Sequence, residues 1–160
     1  MGPRGIARDA NGRYWVTCQG SDEIRVLNAD GTAHATIPLA YGAAPFGICA
    51  SPDGALLYVT MFGSGQVHRY SAAAPGNAPL TVSGVSTPRA IAISANGARV
   101  FVTRFISPEL EGQVGEFTAT LGLTRLFSLT AARTIDGGHR AAGVSNYLAG
   151  IAISPAGTRA

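Results

Sequence analysis

One pattern recurs along this chain and limits what it can fold into. A short apolar stretch containing an Ile leads into a turn that ends in Gly. The copies are Gly5-Ile6-Ala7 to Asn11-Gly12, Gly47-Ile48-Cys49-Ala50-Ser51-Pro52-Asp53-Gly54, Ala90-Ile91-Ala92-Ile93-Ser94-Ala95-Asn96-Gly97 and Gly150-Ile151-Ala152-Ile153-Ser154-Pro155-Ala156-Gly157. In each, the Ile stands six residues before the final Gly, and the steps from Ile6 to Ile48, Ile91 and Ile151 are 42, 43 and 60 residues. The last step is the same repeat carrying an insertion of about 17 residues. A fixed period of this length marks a repeat architecture, in which each unit buries its apolar face against the next.

Each copy continues alike. Tyr14-Trp15-Val16-Thr17, Leu57-Tyr58-Val59-Thr60 and Val100-Phe101-Val102-Thr103 are runs of aromatic and β-branched residues, each following a turn. Third runs follow at Ile24–Leu27, Val67–Tyr70 and Val114–Phe117, and weaker fourth runs at 33–37, 80–82 and 123–129. The Gly after Asp53 or Asn96 supplies the positive φ of a tight hairpin. Four short antiparallel strands per repeat describe one blade of a β-propeller. The chain is therefore expected to be all-β, with blades at about 3–40, 45–86 and 88–130, an insertion at 130–146, and the first strand of a fourth blade within 147–160. The first run of each copy is apolar on both faces, so it is expected to be the innermost strand, buried between neighbouring blades.

The motif Pro45-Phe46-Gly47-Ile48-Cys49-Ala50-Ser51-Pro52-Asp53-Gly54 followed by Leu57-Tyr58-Val59-Thr60 resembles the YVTN family of propeller repeats. Tyr58-Val59-Thr60 keeps three of the four naming residues, with Met61 in place of the Asn, and the other copies keep Val-Thr after an aromatic. The resemblance implies a bacterial parent protein exported to the periplasm or cell surface. Some similar proteins carry a c-type cytochrome module after the propeller. Propellers close with about 4–8 blades, so three blades and a stub imply a piece of a longer propeller, or a ring completed by several chains.

Composition supports a packed β protein: 46% hydrophobic, 13% charged, with 21 Gly and 9 Pro among 160 residues. No apolar run approaches the roughly 18 residues of a membrane helix. The net charge is +3 and every cation is Arg, scattered singly rather than in a basic run, so nucleic acid is not an expected partner. Cys18 and Cys49 are too few for a disulfide scaffold; Cys49 is expected in a strand and Cys18 on a loop. His34 and His68 fall at outer-blade positions and are expected on the surface. No cofactor, metal set or catalytic constellation is indicated. Asp136-Gly137-Gly138-His139-Arg140 offers too few ligands for zinc.

Ligands of propellers sit at the axial mouth, on the loops into strand one and between strands two and three. Those loops carry Arg4, Phe46, Arg89, Arg104, Arg133, His139 and Arg140, against Asp22, Glu109, Glu111 and Asp136. The candidate binding residues are Arg89, Arg104, His139 and Arg140, forming a mildly basic mouth for an anionic small molecule or a protein partner; the plain alternative is a set of solvated loop charges. The expected role is a non-catalytic scaffold or binding segment, partnered by the rest of the parent propeller or another protein. The alternative is the propeller part of an enzyme, a lactonase-type hydrolase or a redox protein. A lactonase mouth needs carboxylates around a hard cation, and the Ile91-Ala92-Ile93 and Ile151-Ala152-Ile153 strands bring none.

Overall fold

The structure is a computed structural model that describes residues 2–107, 111–130 and 147–154. Three four-stranded antiparallel sheets follow one another along the chain, each with its strands paired in sequence order. Blade one comprises β1 (Pro3–Arg8), β2 (Tyr14–Cys18), β3 (Glu23–Leu27) and β4 (Ala33–Pro38). Blade two comprises β5 (Pro45–Ala50), β6 (Leu56–Met61), β7 (Gln66–Ser71) and β8 (Leu80–Ser83). Blade three comprises β9 (Pro88–Ile93), β10 (Arg99–Arg104), β11 (Glu111–Thr118) and β12 (Leu123–Thr130). The innermost strands β1, β5 and β9 lie side by side, so the sheets form an arc of propeller blades that does not close.

Local chemistry explains why the repeat folds this way. Between β5 and β6, the Ser51 hydroxyl donates to Asp53 at 2.5 Å and accepts the Leu56 amide at 2.9 Å. Between β9 and β10, Ser94 repeats this with Asn96 at 2.7 Å and Arg99 at 3.0 Å. Gly54 and Gly97 take φ of 69° and 72° in these hairpins. In blade one the corresponding residue is Asp9, whose carboxylate accepts from the Asn11 and Arg13 amides, the Arg13 guanidinium and the Trp15 indole, all at 2.8–2.9 Å. Burial pushes the Asp9 carboxyl up, but these donors outweigh it and hold it below the ordinary value.

Two apolar blocks fill the spaces between blades. Trp15, Ile24, Val26, Leu57, Val59, Met61 and Tyr70 join blade one to blade two. Tyr58, Val67, Ile91, Val100, Val102 and Phe117 join blade two to blade three. The second strand of each blade, not the first, carries most of this burial. All but the first residue of β6 is buried, whereas β1 exposes alternate residues and Ile6 is 64% exposed. The second strand has a neighbour on each edge and a blade over its faces. The first strand faces the axis, which the arc leaves open.

Two smaller expectations differ. Cys18 closes β2 and is buried rather than sitting on a loop. His68 is half-buried and within hydrogen-bond distance of Tyr70 Oη (3.1 Å) and Gln66 Oε1 (3.2 Å); burial lowers its pKa. Its ring lies 6.0 Å from that of Tyr70 on the same strand, which in turn packs on Trp15 of blade one. The start of the next repeat, residues 147–154, follows the side of blade three and carries no strand among the described residues. The 130–146 insertion, apart from Thr130, and residues 155–160 lie outside the described residues.

Candidate functional site

The mouth is assembled by a threonine that recurs at the same place in every blade. Thr17 Oγ1 accepts the Gly5 amide of its own blade at 2.9 Å and donates to the Phe46 carbonyl of the next at 2.7 Å. Thr60 does the same with the Gly47 amide (2.8 Å) and the Arg89 carbonyl (2.7 Å). Thr103 accepts from Ala90 at 3.0 Å and donates to Leu148 at 3.0 Å. Each clasp grips the backbone at the start of the next repeat, and the first two grip the residues that carry mouth side chains. Close approach is built in: a Cβ on Gly47 would lie 2.3 Å from the Arg89 carbonyl oxygen.

A second repeated device turns the chain into each strand. Ala44 and Thr87, each preceding a proline, and Tyr147 take positive φ of 49°, 45° and 61°. All three stand four residues before the repeat's Ile. Left-handed backbone is uncommon for non-glycine residues and an outlier for a β-branched one. The Ala44 and Thr87 carbonyls accept the amides of Phe62 and Phe105, each at 3.0 Å. The backbone of these two aromatics is thereby fixed two residues past the clasp threonine.

These anchors converge on an alternating row of cations and rings. The Arg4 guanidinium lies 5.5 Å from the Phe46 ring centroid. Arg89 lies 4.4 Å from Phe46 and 3.8 Å from Phe105, so it is held between a ring of blade two and a ring of its own blade. Phe62 bridges Phe46 at 6.3 Å and Phe105 at 5.9 Å, and Tyr147 meets Phe105 at 5.3 Å. Arg89 Nε is buried with no hydrogen-bond partner. An unpaired buried donor on a charged group is costly.

Arg89 is thus at the centre of the mouth, in the second position of β9 rather than on a loop. Arg104 is not drawn into the row: its Nε donates to the Ile106 carbonyl at 2.9 Å and a terminal nitrogen to Gln113 at 2.7 Å. His139, Arg140, Arg133 and Asp136 lie outside the described residues, as does Glu109. Asp22 is no counter-ion for the row, since its two carboxylate oxygens accept the Gly42 and Ala44 amides at 2.8 and 2.7 Å. Arg4 Nε donates to Gln19 at 2.6 Å.

Sequence reasoning named Phe46 but missed Phe62, Phe105 and Tyr147. A signal was present: two residues after each clasp threonine the repeat reads Gln19, Phe62, Phe105. Among the described residues no three His, Cys, Asp or Glu side chains gather as metal ligands would. Burial pushes the Cys49 thiol up to about 12, far from a reactive thiolate. A cavity of about 930 Å³ lies away from the mouth, on the side of blade three, between Phe101, Phe117 and Leu129 and the Gly150–Ile153 stretch. It occupies the side on which a further blade would pack.

Among the solved structures that resemble this arc are several enzymes and a protein of unknown function from Desulfotomaculum acetoxidans. Hydrazine synthase of Kuenenia stuttgartiensis matches with a TM-score of 0.72 at 19% identity over 81% of this chain and 38% of that one. Virginiamycin B lyase of Staphylococcus aureus matches at 0.66 and 21% identity, over 80% and 41%. The dihydro-heme d1 dehydrogenase NirN, solved in complex with DHE, matches at 0.60 and 24% identity, over 75% and 25%. No family model and no curated protein matches the sequence. At these identities the likeness shows the β-propeller fold alone, and the chain spans about two-fifths of the length of the first two. The YVTN assignment rests on the repeat residues.

Proposed function

We propose that this chain is a non-catalytic propeller segment whose mouth binds an anionic ligand or partner, with Arg89 as the principal contact. One observation carries the reading. Arg89 is a permanent cation held at the junction of two blades by rings on either side, and its side chain makes no hydrogen bond or ion pair among the described residues. Aromatic rings stabilise the cation by about 0.5–2 kcal/mol but do not neutralise it. Arg4, across Phe46, adds a second positive group on the same row. Arg104, held to Gln113 one strand outward, His139 and Arg140 belong to the proposal by their place in the sequence. An exported, periplasmic or cell-surface parent belongs to the same proposal and is supported by the repeat resemblance.

The test is a titration of the ¹⁵N-labelled 160-residue chain with inorganic phosphate and with acetate, following the arginine Nε–Hε resonances. The Arg89 signal should shift and saturate, and Arg89→Gln should lose anion binding at least tenfold with unfolding unchanged. An Arg89 resonance that ignores both anions while others move would overturn the reading.

A further inference from the structure

The anion reading accounts for Arg89 but leaves the rings unexplained. Phe46 and Tyr147 come from the entries of the second and fourth repeats, Phe62 and Phe105 from the residues just past β6 and β10, and they form one continuous row. Such a row is not needed to close the blades. The blocks that join the blades are built from other residues, Trp15 and Tyr70 on one side and Tyr58 and Phe117 on the other. Nor are the mouth rings buried. Phe46, Phe62 and Phe105 are each partly open, Tyr147 is 61% exposed, and neighbouring Ile106 is 49% exposed. A cluster of open aromatics in a soluble surface marks a place where apolar area is covered by something else.

The ring geometry narrows what that can be. The Phe62–Phe105 and Phe105–Tyr147 contacts are steep, at 65° and 66°, and Phe46–Phe62 is tilted by 46°. No two of these rings stack face to face. The group nearest to these rings is the Arg89 guanidinium, its carbon 4.4 Å from the Phe46 centroid and 3.8 Å from that of Phe105. With a ring on two sides and Nε buried, its terminal nitrogens are the part left for a carboxylate or phosphate, which match its fork of donors. Beside them stand aromatic surfaces whose backbones are pinned by the Ala44 and Thr87 carbonyls. The left-handed conformations at 44, 87 and 147 hold this arrangement at an energetic cost.

We infer that the mouth takes an aryl anion: a carboxylate or phosphate carried on a flat aromatic body. The anionic group would seat on the Arg89 terminal nitrogens, with Arg4 near by, and the ring would lie against Phe62, Phe105 and Tyr147. The inference rests on the anion reading above and specifies its ligand class.

A set of probes tests the two separately, each titrated into the 160-residue chain: acetate, cyclohexanecarboxylate, 2-naphthoate and neutral 2-naphthol. The expected order has 2-naphthoate binding at least tenfold more tightly than cyclohexanecarboxylate, with acetate and 2-naphthol weaker than either. Tyr147→Ser, at an exposed position, and Phe62→Leu should each reduce 2-naphthoate affinity about three- to tenfold, a larger loss than either causes for acetate. Equal affinity for 2-naphthoate and cyclohexanecarboxylate would overturn the aryl inference while the anion reading stands. So would unchanged 2-naphthoate affinity in both variants, with their unfolding midpoints confirming a folded chain. Binding of 2-naphthol as tight as 2-naphthoate, with no response to acetate, would remove the anion reading and the inference together.

Discussion

Replacing Thr60 with Val probes how blades are joined and how the mouth is held. The substitution keeps the β-branched shape and removes the hydroxyl, which is fully buried. Two backbone groups lose a partner at once, the Gly47 amide at 2.8 Å and the Arg89 carbonyl at 2.7 Å. Each buried group left unpaired costs about 1–3 kcal/mol, so Thr60→Val should destabilise the chain by about 2–4 kcal/mol. For a chain of this size that lowers the melting temperature by roughly 5–15 °C. Thr60→Ser retains the hydroxyl and loses one methyl, worth about 1 kcal/mol. Urea unfolding followed by far-ultraviolet circular dichroism gives the comparison directly. Because the lost partner is the Arg89 carbonyl, Thr60→Val should also weaken phosphate binding while Thr60→Ser preserves it. A Thr60→Val protein within about 0.5 kcal/mol of wild type would refute the clasp, as would one less perturbed than Thr60→Ser.

Three further outcomes follow from the same geometry. Gly47→Ala places a methyl against the Arg89 carbonyl, 2.3 Å from the oxygen before relaxation, and should cost about 1–3 kcal/mol; Gly76→Ala, where a Cβ meets nothing within 4 Å, is the control for calorimetry. Asp9→Asn breaks a pair whose acid side chain is fully buried and should destabilise by on the order of 3 kcal/mol, with Trp15 fluorescence reporting the loss because its indole donates to Asp9 at 2.9 Å. His68 is held neutral by burial, its pKa below 6.5. The unfolded chain then binds the extra proton first, so stability should fall as pH drops from 6.5 towards the folded value and be flat above it; His68→Gln should remove that slope in urea titrations at pH 5–7.

The blades were readable because each repeat states its own local structure. Ile48 to Gly54 and Ile91 to Gly97 contain the strand, the side-chain-capped turn and the positive-φ glycine in one stretch, and Val59-Thr60 and Val102-Thr103 announce the strands that follow. Burial was misread where it depends on neighbours in space. Gly5-Ile6-Ala7 reads as the start of a core strand but borders the open axis, with Ile6 64% exposed, whereas Ile91 is buried between blades two and three and Tyr58-Val59-Thr60 is wholly enclosed. His68 reads as a surface residue from its outer-blade position, but it lies against Tyr70 and Gln66 of its own strand. At the mouth, single-residue charge drew attention to Arg89 and Arg104 equally. Only the fold separates them, one gripped between Phe46 and Phe105, the other tied to Gln113. Phe62 and Phe105 escaped notice because they are unremarkable within a repeat and gain meaning when three repeats stand side by side.

The most direct test of an anion-binding mouth centred on Arg89 is an anomalous difference map from crystals of this chain soaked in iodide. The account predicts a strong peak at the free edge of the Arg89 guanidinium, beside the Phe46 and Phe105 rings, displaced when the soak also contains 2-naphthoate. A carboxylate of the chain itself bonded to Arg89, with no iodide at that edge, would contradict it.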